Sequence, residues 1–227
     1  MNEPADSRGG AAGGGTAGPA ERWGAIVLAA GASLRMGRAK QLIEIDGLPL
    51  VARAAGAALE GGLWPVIVVV GANAAQVRPV LARLPVLIVE NAAWPEGMAS
   101  SLRAGVGALV QFSRSTDGVL AALCDQPGFT AATVGSLRAA QTASGRGIAA
   151  ARYAGRIGAP ALFGRRYYSA LAALTGEKGA RTLLLASIDD VVAVDLPELA
   201  PDLDTPADLA SFSRARGGRT DPRPPAA

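Results

Sequence analysis

Residues 28–40 read Leu-Ala-Ala-Gly-Ala-Ser-Leu-Arg-Met-Gly-Arg-Ala-Lys. Ala29, Ala30, Gly31, Ala32 and Ser33 let backbone N–H groups come close to an anion, and Arg35 and Lys40 add full positive charge. That is the chemistry of a grip on a polyphosphate. Two acidic segments complement it. Cys124-Asp125-Gln126-Pro127 follows an apolar run, and Asp202-Leu203-Asp204-Thr205-Pro206 lies near the end of the patterned sequence. Magnesium needs only one or two protein carboxylates beside phosphate oxygens, so Asp125 reads as a Mg²⁺ ligand. Asp204 reads either as a second metal-side group or as part of a helix start before Pro206. Phosphate grip and acidic loops together suit metal-dependent chemistry on a nucleoside triphosphate.

Two further segments offer polar groups. Asn91 and the run Pro95-Glu96-Gly97-Met98-Ala99-Ser100-Ser101 follow another strand end. Ser100 or Ser101 either caps the next helix or, with Asn91 and Gly97, reads base and ribose. Gly176-Glu177-Lys178-Gly179-Ala180-Arg181 places two cations where a helix begins, against its dipole. An anionic ligand removes that conflict, so Lys178 and Arg181 are candidate contacts to an acceptor phosphate.

These loops need a scaffold. Apolar runs predict strands at 24–30, 65–70, 86–89, 118–123, 147–152 and 191–194. Ala/Leu-rich segments predict helices at 49–61, 74–83, 99–112, 130–143, 164–174, 179–187 and 206–213. Their alternation predicts one α/β domain over 22–213, a three-layer Rossmann-like arrangement with a mainly parallel sheet covered on both faces. A hairpin-like excursion is expected around Tyr153-Ala154-Gly155-Arg156. Residues 1–21 and 214–227 are Gly/Ala- and Arg/Pro-rich without periodicity and are expected to be disordered tails. Ligands of such sheets sit at the carboxyl ends of strands, so Lys40 and Asp125 should share one cleft if strands 24–30 and 118–123 are neighbours.

Composition narrows the chemistry. The chain has no histidine, which removes histidine bases, triads and metal ligands. Its only lysines are Lys40 and Lys178, both in glycine-containing loops. The single cysteine, Cys124, rules out an internal disulfide and points to a reducing, cytoplasmic setting. The net charge of +3 is concentrated toward the C-terminus and aromatics are 4%, so no nucleic-acid partner is expected. Neither a membrane span nor a secretory signal is expected. The first loop is not a dinucleotide fingerprint, because Gly31 and Gly37 stand six apart, nor a Walker loop, because Gln41 follows Lys40.

Leu28–Lys40, the 124–127 quartet, Gly158-Ala159-Pro160-Ala161, Gly176–Arg181 and Asp202–Asp208 together resemble the molybdenum cofactor nucleotidyltransferases of the MobA-like NTP transferase family, most closely the cytidylyltransferase (MocA-like) branch. The resemblance covers roughly residues 23–213. It implies a nucleotide-diphospho-sugar-transferase (GT-A-like) fold and a Mg²⁺-dependent reaction of CTP with Mo-molybdopterin, giving molybdopterin cytosine dinucleotide and pyrophosphate. It also implies delivery to an apo-molybdoenzyme. By resemblance, the Leu28-Ala29-Ala30-Gly31 backbone with Ser33, Arg35 and Lys40 binds the triphosphate. Asp125 holds Mg²⁺, and Asp204 matches a second polar active-site position. Guanylyl members carry Ala-Gly-Gly where this chain has Ala29-Ala30-Gly31, and Asn-x-Asn where it has Asp202 and Asp204; both departures favour cytosine over guanine. The same residues would serve another NTP such as GTP, a sugar-phosphate acceptor, or a non-catalytic carrier of the cofactor. A dinucleotide-dependent reductase is disfavoured by the missing fingerprint.

Overall fold

A computed structural model describes residues 21–215 and Gly217. Of the tails expected at 1–21 and 214–227, residues 1–20, 216 and 218–227 lie outside the described residues. Seven strands form the main sheet: β1 (Trp23–Ala29), β4 (Val66–Val70), β5 (Leu87–Glu90), β6 (Gly118–Leu123), β7 (Ile148–Tyr153), β8 (Arg156–Gly164) and β9 (Val191–Asp195). A two-residue hairpin, β2 (Glu44–Ile45) and β3 (Leu48–Pro49), stands apart. The helices are α1 (Leu50–Glu60), α2 (Ala74–Leu81), α3 (Met98–Phe112), α4 (Ala131–Ser144), α5 (Tyr168–Ala172), α6 (Arg181–Ala186) and α7 (Pro206–Ala215).

The sheet order is β5-β4-β1-β6-β8-β7-β9, and only β8 runs against its neighbours. β4 reads Val-Ile-Val-Val-Val and is buried throughout, as a parallel strand covered on both faces must be. Alternate residues feed two cores. Ala25, Val27, Val66 and Val68 pack under α1, α2 and α4, whereas Ile26, Ile67 and Val69 pack under α3, α5 and α6. The expected hairpin is β7–β8, turning at Ala154 and Gly155, both with positive φ.

Three expectations change. The segment 164–174 is a single 3₁₀ turn (Arg165–Tyr167) followed by the five-residue α5. α7 continues through Arg214 and Ala215, two residues beyond the expected domain end. The β2–β3 hairpin is absent from the expected strands, although its Asp46-Gly47 turn, with φ of 54° and 76°, is the type of signal that marks one.

A third, small core lies beside the loop that follows β1. Met36, Ile43, Ile45 and Leu50 pack with Leu203, and Leu209 and Phe212 of α7 close over them. This contact draws the 202–205 segment against that loop.

Candidate active site

β1 and β6 are paired with Leu28 opposite Leu123, and the Cys124 N–H donates to the Leu28 carbonyl at 3.2 Å. The loops after these strands therefore leave the sheet side by side, where the strand order reverses around β1. Lys40 and Asp125 meet there as the sequence pattern required. Lys40 Nζ donates to Asp125 Oδ2 and, at 3.0 Å, to Asp204 Oδ1. Arg35 Nη2 donates to Asp204 Oδ2 at 2.9 Å. Arg35 is 73% exposed, whereas Lys40 and Asp125 retain 18% and 12%. The arginine is therefore a solvated outer cation and the lysine a fixed inner one.

The loop is held by a residue that pattern reading overlooks. Gln41 is fully buried, and its Nε2 donates to the carbonyls of Ala29 at 3.0 Å and Gly31 at 2.7 Å. Its Oε1 accepts from Ser33 Oγ at 3.3 Å and Asn73 Nδ2 at 3.4 Å. Ser33 Oγ also accepts the Lys40 N–H at 3.1 Å, so this hydroxyl shapes the loop from a left-handed backbone position. Below it, Gly71 lets β4 end close to β1: a Cβ there would lie 2.6 Å from the Ala30 carbonyl oxygen.

A cleft of about 320 Å³ opens over this floor. Leu28, Ala29, Ala30, Gly31, Lys40 and Asp125 form one side; Gly97 and Ser101 belong to the other, with Trp94 and Met98, which sequence reading did not single out. Of the expected set Ser33 and Arg35 lie outside the lining of this cleft, and so does Asn91. It is buried, and its Nδ2 donates to Ser100 Oγ (2.8 Å) and Ser101 Oγ (3.0 Å), so it anchors the 93–101 segment from beneath. Neither serine caps α3, whose N-cap is Gly97 without a side-chain bond. Ser100 Oγ donates instead to the carbonyls of Ala93 and Gly97, both at 2.8 Å.

Leu28, Met98 and Leu123 are also the wall of a second cavity, of about 230 Å³. Lys178 and Arg181 line it, together with Arg156 and Asp202, around an otherwise apolar interior. The dipole argument for the two cations fails, because α6 is only six residues long. Their placement comes from a close seam between loops. Gly97, at φ 105°, sits so near the 176–177 backbone that a Cβ would lie 2.8 Å from the Gly176 carbonyl oxygen. The Ala99 N–H donates to that same oxygen at 3.2 Å. Arg156 lies over the Tyr153 ring at 5.2 Å and bonds Asp202 Oδ2 at 2.5 Å.

Helix capping at the last segment is done by other groups than Asp202 or Asp204. Asp208 Oδ2 accepts the Asp204 and Thr205 N–H groups at 3.3 and 2.8 Å, and Thr205 Oγ1 accepts the Asp208 N–H. Both upstream carboxylates are thereby released for the site.

The electrostatics follow from burial and pairing. Burial alone would lower the Lys40 ammonium pKa, but Asp125 and Asp204 outweigh it and hold the group well above the usual lysine range. Burial would raise Asp204, yet Lys40 and Arg35 bring it below the usual carboxylate range. Asp202 is raised, first by burial and then by the charge on Asp125. Burial pushes the Cys124 thiol up to about 12, which removes it as a nucleophile. Asp125 Oδ1 is buried without a hydrogen-bond partner, an oxygen suited to a hard cation. Among the described residues no cluster of three or more protein ligands forms a cation site. A cation here would take the rest of its shell from phosphate and water, as magnesium does. No helix of the described residues is long and apolar enough to cross a membrane.

The nicotine blue oxidoreductase of Paenarthrobacter nicotinovorans is 42% identical over 113 residues, which are 49% of this chain and 53% of that protein. The chain thus matches about half the length of this curated relative. Rv0371c of Mycobacterium tuberculosis H37Rv is 31% identical, with a TM-score of 0.71 over 86% of this chain and 98% of that one. A structure of Rv0371c has been solved in complex with manganese (29% identity, TM-score 0.67, 86% and 98% covered). A nucleotidyl transferase from Methanothermobacter, at 24% identity and a TM-score of 0.72 over 86% and 98%, shares the fold. Residues 25–192 match the MobA-like NTP transferase domain, and the chain belongs to that family of nucleotidyltransferases.

Proposed function

We propose that this protein transfers CMP from CTP to the terminal phosphate of Mo-molybdopterin, releasing pyrophosphate and forming molybdopterin cytosine dinucleotide. The observation that carries the reading is the shared wall of Leu28, Met98 and Leu123. It separates a cleft built for a polyphosphate from a cavity with an apolar interior and three cations, Arg156, Lys178 and Arg181. Two substrates, each anionic, can thus meet beside Lys40 and Asp125. The departures from the guanylyl pattern at Ala30, Asp202 and Asp204 support cytosine as the base.

The chemistry asks little of a base. A phosphate monoester has a second pKa of about 6 and is a dianion at neutral pH. Its oxygen forms the new bond to the α-phosphorus as the bond to the departing pyrophosphate breaks. The protein's work is to align two anions and to offset their charge. Lys40 serves the α-phosphate, Arg35 the pyrophosphate, and Lys178 and Arg181 the acceptor. Asp125 and Asp204 would hold Mg²⁺, which would supply positive charge to offset the phosphates when bound.

The test is incubation with Mo-molybdopterin and each NTP in turn, reading dinucleotide and pyrophosphate. CTP should be the preferred donor. Asp125→Ala and Lys40→Ala should each lower turnover by about 10²–10³. Dinucleotide formed equally well by either variant would overturn the assignment. Pyrophosphate release with a sugar phosphate alone would change the acceptor. Stoichiometric cofactor binding without pyrophosphate would make the protein a carrier.

A second reading rests on the name of the Paenarthrobacter relative, an oxidoreductase. NAD(P)H oxidation with nicotine blue as the acceptor, in the absence of any NTP, would favour it.

A further inference from the structure

Lys178 reaches the second cavity from a segment that does not hold itself in place. Gly176 and Gly179 flank the lysine, with φ of 78° and 52°, and Lys178 is exposed. Glycine leaves the backbone free to turn, so other groups must fix where the lysine lies. Its neighbour Glu177 lines the polyphosphate cleft, whereas Lys178 lines the second cavity. A small rotation of this backbone would therefore bring a carboxylate toward the acceptor and take the ammonium away.

Two hydrogen bonds from α3 tie the segment down. The Ala99 N–H donates to the Gly176 carbonyl at 3.2 Å, and Arg103 Nη1 donates to the Leu174 carbonyl at 2.7 Å. The other arm of the same guanidinium, Nη2, donates to Glu96 Oε2 at 2.8 Å. A planar fork can span two acceptors in this way, which an ammonium cannot. The two ends of the bridge depend on it unequally. The 93–101 segment is already anchored by Asn91 and Ser100, and Glu96 is 60% exposed, so its ion pair adds little. The Leu174 bond is charge-assisted and partly buried, which makes it the stronger arm. Arg103 lines neither cavity. From this arrangement we propose that Arg103 is a positioning residue for the acceptor, which it serves by holding Lys178 at the second cavity. The inference rests on the nucleotidyl-transfer reading of that cavity.

The test is steady-state kinetics of the full chain with CTP and Mo-molybdopterin, read as pyrophosphate. Arg103→Met should raise the acceptor KM about tenfold, the low end for a hydrogen bond to a charged group, and leave the CTP KM within about twofold. Lys178→Ala should raise the acceptor KM by at least as much. The double variant should be no worse than Lys178→Ala alone, because Arg103 acts only through the lysine. An unchanged acceptor KM, an equal rise in the CTP KM, or effects that multiply in the double variant overturns the proposal. Arg103→Lys keeps the charge and the stem without the fork, so it should rescue part of the loss and raise the acceptor KM only about threefold. Should Arg103→Met fail to fold, Arg103→Lys decides by the same cycle. A second readout needs no turnover. Lys40 and Lys178 are the chain's only lysines, so lysyl endopeptidase has two sites in it. Cutting follows local opening, so Arg103→Met should speed cleavage after Lys178 about tenfold relative to cleavage after Lys40. Faster cutting at Lys178, with no pyrophosphate from wild type and any acceptor, would refute the transfer reading and leave the clamp intact. Pyrophosphate from wild type, with cutting at Lys178 unchanged in Arg103→Met, would do the reverse.

Discussion

Replacing Gln41 tests whether the loop after β1 is a prebuilt surface. Its amide nitrogen donates to the Ala29 and Gly31 carbonyls, at 3.0 and 2.7 Å, from a fully buried position, and the Gly31 oxygen also accepts from Asn73 Nδ2 at 3.4 Å. Removing it strips that donor from both oxygens, at about 1–3 kcal/mol each, toward the smaller figure for the exposed Gly31, which keeps the Asn73 donor. The two longer bonds, from Ser33 and Asn73, add little, because both side chains can turn to water. The loss is therefore about 2–6 kcal/mol against a domain stability of about 5–15 kcal/mol, so most variants stay folded. At about 2–4 °C per kcal/mol for a domain of this size, the melting temperature should fall by about 4–24 °C. If about 1.4 kcal/mol of this is spent reordering the loop around a ligand, nucleotide affinity falls about tenfold. Gln41→Met preserves volume and removes only the hydrogen bonds, so it isolates the polar contribution from a cavity effect. Scanning calorimetry and nucleotide titration on Gln41→Met give the answer. A melting temperature within about 2 °C of wild type, with unchanged affinity, would refute the reasoning.

Other consequences can be measured as directly. Gly97→Ala puts a Cβ 2.8 Å from the Gly176 carbonyl oxygen at φ 105°, so it should part the seam between the two loops. It should raise the acceptor KM more than the nucleotide KM, and equal effects on both would count against the seam. Asp204 has a lowered pKa, so its stabilisation is full above the unfolded value of about 3.9 and lost as pH falls through the folded value. Lys40 has a raised one, so its stabilisation is full below about 10.4 and lost only as pH climbs through its folded value. Urea denaturation should therefore show a stability gap between wild type and Asp204→Asn that is flat from about pH 5 to 9 and closes in acid. A gap that grows as pH falls would contradict the ion pairing. Cys124, buried with its thiol pushed up to about 12, should resist alkylation at pH 8 until denaturant is added. Stoichiometric labelling of the native chain would show the burial to be wrong.

Much of the sheet was legible because its signals are local. β4 announces itself through five consecutive β-branched residues, and the Ala154-Gly155 turn marks the hairpin. The meeting of Lys40 with Asp125 followed from one topological inference, that loops at the ends of neighbouring strands converge. What escaped was long-range. Gln41 is polar and follows a lysine, so nothing in its neighbourhood says that it is buried among carbonyls. Asn91 looked like a ligand contact because buried and exposed amides are alike in sequence; only the positions of Ser100 and Ser101 show that its hydrogen bonds are spent inside. Arg156 joined the second cavity through a hairpin and an aspartate 46 residues away. The cations of 176–181 were assigned to a site by a dipole argument that a six-residue helix cannot sustain, and they reach the cavity through loop packing instead.

The small apolar cluster beneath α7 also orders events during synthesis. Leu203, Leu209 and Phe212 supply the packing that seats Met36 and Ile43, while Asp204 completes the charge set around Lys40. A ribosome must deliver the chain through α7 before the much earlier loop after β1 gains its floor. A chain ending a few residues before Leu203 would still contain all seven strands but would lack both the packing that seats this loop and the Asp204 carboxylate.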